Sequence, residues 1–300
     1  MRAAVAEKPA GGTPVPSGTE GRHLTIAQRA LLAVVAIECL LVYGPTIVWL
    51  FDRWTMSVWH NAHGMLIPLA VAYFAHQELR ALGPVESRAN PWGFAFLLTA
   101  LALHVLDTGM HTQILSAASI VIALPGLSLL FLGTAKTRAI AFPLAFMVFM
   151  LPIPLVLTER IHLVLREITT VATAAIVPWL GISLYSEGTT LHLREGVLAV
   201  SDACSGFSTL YASCAVAALV AYTCDRRVGK IAALAGAVPI AIASNIIRIV
   251  LLVLAVRLLG IQALDTWIHP ASGMLTFAIA LPVILWLGAP TPAPAREGAR

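Results

Sequence analysis

Six stretches of this chain contain no Asp, Glu, Lys or Arg: residues 54–77, 89–106, 113–135, 139–158, 203–224 and 266–295. Each approaches or exceeds the ~20 residues a helix needs to cross about 30 Å of hydrocarbon. A soluble chain carries roughly 25% charged residues distributed over its surface, whereas here the charged share is 11% and the hydrophobic share 59%. A soluble enzyme is thereby excluded. In lipid every backbone N–H and C=O has to be satisfied within the chain, so the spans are α-helices. The expected fold class is an all-α, polytopic membrane helix bundle.

The apolar runs place about eight transmembrane helices, near residues 30–50, 63–79, 91–107, 113–133, 139–157, 205–223, 231–256 and 268–288. Residues 159–180 form a further helix bearing Glu159, Arg160, His162, Arg166 and Glu167. Crossing would put those charges in lipid at several kcal/mol each, so this segment reads as an amphipathic helix at the outer interface, with burial in the membrane as the alternative. Eight spans leave both termini on one side, together with thirteen of the nineteen basic residues, among them Arg80, Arg88, Lys136, Arg138, Arg226, Arg227 and Lys230. The positive-inside rule makes that side cytoplasmic and the location the cytoplasmic (inner) membrane. A full crossing by 159–180 would carry Arg226, Arg227 and Lys230 to the outside, against the rule. Trp49, Trp54, Trp59, Trp179 and Trp267 collect at the outer interface as an aromatic belt.

Residues 1–25, rich in Gly, Pro and Thr and lacking an apolar core segment, read as a disordered cytoplasmic tail, and 290–300 as a second one. Residues 26–289 are then one membrane-embedded domain. The net charge of +4 is dispersed along the chain and reads as topology, so no nucleic-acid partner is expected.

The chemistry concentrates at three positions. Between the interfacial helix and the sixth span, residues 187–201 alternate and turn at Glu195-Gly196, as in a short external β-hairpin. The hairpin feeds Ser201-Asp202-Ala203-Cys204-Ser205-Gly206, where Ser201 or Asp202 can cap the next helix and put Cys204 in its first turn. There unpaired N–H groups and the helix dipole favour thiolate over thiol. Cys39, Cys214 and Cys224 lack this setting, and no CxxC spacing points to zinc or a disulfide framework. Arg248 interrupts the apolar run Ile240–Val256 with Asn245 three residues earlier on the same face, and an Arg inside a span is a functional-site hypothesis by default. It lies 17 residues beyond Ile231, or about 26 Å along the helix, just under the outer surface. His269 opens the last span at the same depth. Read singly, Cys204 is equally a small buried hydrophobe, Arg248 a side chain snorkelling to headgroups and His269 a polar rim residue. Together they form a nucleophile, an oxyanion or substrate stabiliser and a general acid/base, the set that a thioester acyl-enzyme requires. His60 and His63, with His104, Asp107 and His111, are also assigned to the outer side. Gly109 and the short loop make His104, Asp107 and His111 a polar rim, so no metal and no cofactor is expected.

Asp202-Ala-Cys-Ser-Gly206, Asn245-Ile-Ile-Arg248 and His269 with Gly273 resemble the signature blocks of the exosortase and archaeosortase family. The likeness extends upstream through Trp59-His-Asn-Ala-His-Gly-Met-Leu-Ile-Pro68 and Phe142-Pro143 to Pro152-Ile-Pro154. The resemblance implies a membrane cysteine protease or transpeptidase that cuts C-terminal sorting signals at the outer face of the membrane. Such signals are a PEP-CTERM-like motif, a transmembrane helix and a basic tail. Its partners would be those sorting-signal proteins, the lipid bilayer and a cell-surface amine as acceptor besides water. Cys204, Arg248 and His269 fall on the family's catalytic Cys, Arg and His, with Asp202, Ser205, Gly206, Asn245 and Gly273 supporting them. Asp202 stands where Glu is common, and Phe207 where a smaller aliphatic is usual. Two other readings remain: a transporter in which Arg248 binds an anionic solute, for which no duplicated halves are evident, and a non-catalytic scaffold.

Overall fold

The structure, a computed structural model, describes residues 25–55, 61–201 and 204–289. The expected tails, apart from Thr25, lie outside the described residues, as do Trp59, His60 and Asp202. Among the described residues ten helices carry the fold: α1 Ile26–Thr55, α2 Ile67–Leu82, α3 Trp92–Met110, α4 Ile114–Phe131, α5 Gly133–Ala139, α6 Ala141–Phe146, α7 Leu155–Ile176, α8 Phe207–Thr223, α9 Arg227–Leu259 and α10 Ile268–Gly288. Short 3-10 turns add Ala62–Met65, Met147–Met150, Val177–Leu180 and Ile261–Asp265. The chain divides into two compact units between Gly44 and Pro45, within α1. The first holds the N-terminal part of α1; the second holds the sheet and all the other helices.

Among the described residues six helical stretches are long and apolar enough to cross a membrane: Arg29–Thr55, Trp92–Met110, Ile114–Phe131, Val156–Leu180, Arg227–Leu259 and Ile268–Gly288. Ala141–Met150 and Phe207–Thr223 are shorter apolar helices. The protein is a multi-pass helical membrane bundle with one small sheet. Its helix pairs close on small residues, as bundles in lipid do. A Cβ on Gly93 of α3 would lie 2.6 Å from the Gly126 carbonyl oxygen of α4, and one on Gly126 would lie 2.9 Å from that of Gly93.

Side-chain contacts define two ends of the second unit. At one, the Trp54 indole near the end of α1 donates to the Met150 carbonyl at 2.9 Å, and the Tyr211 hydroxyl near the start of α8 donates to the Val148 and Leu151 carbonyls at 3.1 and 3.3 Å. At the other, Tyr222 at the end of α8 donates to Glu78 at the end of α2 and stacks on Phe142 at the start of α6. There Arg226 before α9 donates to the Ala289 carbonyl beyond α10 at 3.2 Å.

The run α5 to α6 to Met150 therefore passes from one end to the other. Leu151, in extended conformation before Pro152, then ends it, because a residue preceding proline is pushed out of the helical region. Helix α7 starts immediately after Pro154. Its length and composition would let it cross, and its second half follows α9 from Asn245 to Val253. It departs from the Met150 and Tyr211 level, and Val177, in the 3-10 turn that follows it, packs with Cys204, Ile249, Leu252 and Val253. The helix expected at the interface over 159–180 is therefore one of the six stretches long and apolar enough to cross, and it starts four residues earlier than expected.

The expected hairpin over 187–201 is part of a three-stranded antiparallel sheet, β1 Leu184–Glu187, β2 Thr190–Leu193 and β3 Gly196–Ala199, in the order β1-β2-β3. The register pairs Leu191 with Leu198 across β2 and β3 and Tyr185 with His192 across β1 and β2, where the two rings stack at 4.4 Å. Leu191, Leu198 and Val200 turn inward and close over the second half of α9 with Ile249, Leu252 and Val253. Arg257 in the last turn of α9 pairs with Glu195 of the β2–β3 turn at 2.7 Å.

Candidate active site

Three elements converge beneath the sheet: the turn before α8, the second half of α9 and the first turn of α10. Cys204 is not in the first turn of α8, as expected from the sequence, but in a tight turn three residues ahead of it, its N–H donating to the Ser201 carbonyl at 2.9 Å. The helix starts late because Gly206 takes the left-handed conformation, φ +83°, so no side chain caps it from that position. Instead the Ser205 hydroxyl accepts the Phe207 N–H at 3.3 Å. A Cβ on Gly206 would also lie 2.6 Å from Asn245 Cγ, so both conformation and closeness require glycine here.

Helix α9 brings two polar side chains into this dry region. Asn245, 1% exposed, uses its amide nitrogen twice, donating to the Cys204 carbonyl at 3.0 Å and to Thr169 Oγ1 of α7 at 3.1 Å. These two bonds satisfy the buried amide nitrogen, while Asn245 Oδ1 is buried without a hydrogen-bond partner among the described residues. Arg248, 4% exposed, donates from Nε to Ser272 Oγ at 2.9 Å, and the Ser272 hydroxyl donates in turn to the His269 carbonyl at 2.6 Å. Ser272 is thus the joint between the guanidinium and the helix that carries the imidazole.

His269 Nε2 faces Cys204 Sγ at 3.1 Å. The ring also has a hydrogen bond to the backbone of Leu264, in the loop between α9 and α10. An N–H donated to a carbonyl there leaves Nε2 as the acceptor facing sulfur. The guanidinium of Arg248 interacts electrostatically with both Cys204 and His269. Gly273 lies against it, although a Cβ there would make only ordinary contact, 3.6 Å from Nη2.

Three residues from distant parts of the sequence, all expected at one depth, are therefore brought together with Ser205, Gly206, Asn245 and Gly273 around them. A thiol and an imidazole at this distance can exchange a proton, and a buried guanidinium is a preformed anion holder. Ser272, Thr169 and His162, the last bonding Ser205 Oγ through Nδ1 at 2.8 Å, also belong to the site and are not expected from the sequence. For the two on α7 a signal is present: His162, Leu165, Thr169 and Thr173 recur at helical spacing, and the last three are buried.

The other polar group suggested by spacing has a different fate. Asp107 at the end of α3 accepts the Ser116 N–H in the first turn of α4 at 3.2 Å and the Thr112 hydroxyl, while His104 Nδ1 bonds Ser116 Oγ at 3.0 Å. Among the described residues no group of three or more His, Cys, Asp or Glu could hold a metal ion.

A family model described as transmembrane exosortase matches residues 54–286, most of the chain. No curated protein and no solved structure matches.

Proposed function

Because the chain belongs to the transmembrane exosortase family, we propose that it is a cysteine protease or transpeptidase acting on the C-terminal sorting signal of exported proteins. The observation that carries this reading is the 3.1 Å approach of Cys204 Sγ and His269 Nε2 beside the buried Arg248. In this reading His269 takes the thiol proton and the sulfur attacks the scissile carbonyl carbon. Arg248 holds the oxyanion of the tetrahedral intermediate. The C–N bond then breaks, and the amine leaves with the proton returned by His269. The resulting thioester is opened by water or by an amine, whose proton His269 accepts before the thiol is restored.

The substrate tail, a PEP-CTERM-like motif followed by an apolar helix and basic residues, would insert with its positive charges cytoplasmic, beside Arg226, Arg227 and Lys230. Its cleavage motif would then meet Cys204 at the outer face of the cytoplasmic membrane, both termini of the enzyme being cytoplasmic. Asp202, Ser205, Gly206, Asn245 and Gly273 support the three reacting groups, and no cofactor takes part.

The test coexpresses a protein with such a tail and measures the mass of its new C-terminus, which reports the cleavage point and any attached amine together. Cys204→Ala should remain inserted and folded while uncut substrate accumulates. Normal processing by that variant would overturn the mechanism.

A further inference from the structure

Helix α7 carries no member of the reacting trio, yet one of its side chains bonds the turn that holds the nucleophile and a second bonds the Asn245 amide that reaches the same turn. We propose that His162 is a positioning residue that fixes the direction of the Cys204 thiol through Ser205. The proposal rests on reading Cys204 as the nucleophile.

Ser205 stands between Cys204 and the left-handed Gly206, at the tightest part of the turn. Its hydroxyl accepts the Phe207 N–H at 3.3 Å and bonds His162 Nδ1 at 2.8 Å, and the residue is 1% exposed. One face of the His162 ring is covered by Phe207, with ring centroids 4.7 Å apart. The imidazole thus has a fixed plane and a fixed partner. Two turns further along α7, Thr169 Oγ1 accepts from the same Asn245 amide that donates to the Cys204 carbonyl. Positions seven apart lie on one face of a helix, so α7 holds the nucleophile on both flanks: Ser205 after it, and its own carbonyl through Asn245. Fixing the carbonyl of Cys204 and the side chain of the next residue leaves the sulfur little freedom except toward His269.

His162 is half-buried, and its bond to Ser205 gives Nδ1 a partner on the side turned away from water. Its role is held apart from that of His269, which faces the sulfur itself.

The test uses the full-length chain purified in detergent. Alkylation by iodoacetamide is followed at each cysteine by peptide mass spectrometry, with Cys39, Cys214 and Cys224 as internal references. Cleavage kcat and KM are measured on the tailed substrate. His162→Ala should slow Cys204 alkylation and lower kcat by about ten- to a hundredfold, the scale of a misplacement of about 1 Å. KM and the three reference cysteines should not change. His162→Asn, whose amide nitrogen can reach the place of Nδ1, should recover most of both rates. Ser205→Ala should reproduce the loss, and the double variant should be no slower than either single one. Wild-type alkylation and kcat in His162→Ala would overturn the proposal. So would losses that multiply in the double variant, or no rescue by Asn together with faster labelling of the reference cysteines, which would mark a general loosening. The alkylation arm needs no substrate. Normal processing by Cys204→Ala beside an intact His162 effect on alkylation would therefore sink the proposed function and leave the coupling standing.

Discussion

Two clusters of buried polar side chains lie at the same end of the bundle, one around Asp107 and one around Cys204. In the first, the carboxylate is taken up by the start of α4: one oxygen accepts the Ser116 N–H and the other the Thr112 hydroxyl. Its chemistry is that of a helix cap, supplied from the preceding helix instead of from the usual capping position. In the second, the backbone obligations are met by Ser201, Ser205 and Asn245, so that the thiol, the guanidinium and the imidazole are left facing one another. A buried polar cluster becomes a candidate site when secondary groups absorb the structural hydrogen bonds and reactive atoms remain over. Counting titratable residues alone does not separate the two, since both contain a histidine.

The contrast is most severely tested at Arg248. Arg248→Lys keeps the charge but loses the Nε donor to Ser272 and the planar fork. Processing should fall about a hundredfold or more in kcat/KM, the scale of one lost oxyanion donor, with little change in thermal stability. Equal processing by the lysine variant would place Arg248 with the structural residues. Next, Asp107→Ala should destabilise the fold by about 1–3 kcal/mol, the range for a lost cap or a buried unsatisfied donor. Cleavage per folded molecule should be unchanged; a selective loss of kcat in the stable fraction would give the Asp107 cluster a catalytic part. Gly206→Ala should cost a similar 1–3 kcal/mol, as a side chain in the left-handed region does, and should lower processing as well, because the displaced neighbour is Asn245. Gly273→Ala is the mildest case. Its Cβ meets Arg248 at ordinary contact distance, so stability should move by less than about 0.5 kcal/mol, and a thermal melt indistinguishable from the parent is the expected reading.

Much of this architecture is legible in the order of the residues. Charge-free runs mark the helices, and counting 1.5 Å per residue from charged boundaries puts Cys204, Arg248 and His269 at one depth. That depth is a property of length and polarity, which a sequence carries directly. Three features are not legible there. The late start of α8 depends on Gly206 adopting a positive φ, which local sequence permits but does not require. Strand β1 has only a weak alternation over Leu184–Glu187, and what recruits it is pairing with β2. His162 and Thr169 read as polar groups on an interfacial helix, whereas their partners Ser205 and Asn245 are 43 and 76 residues away. The matching of side chains across such separations is decided by packing.

Helix α9 has 33 residues, about 50 Å at 1.5 Å per residue against some 30 Å of hydrocarbon. It overshoots the lipid like a mast, and the sheet is rigged to its upper part through Leu191, Leu198 and the Arg257 to Glu195 tie. Arg248 rides on the same spar below. The spacing between the guanidinium and the canopy above it is therefore set by the rod itself, whatever the thickness of the bilayer around it.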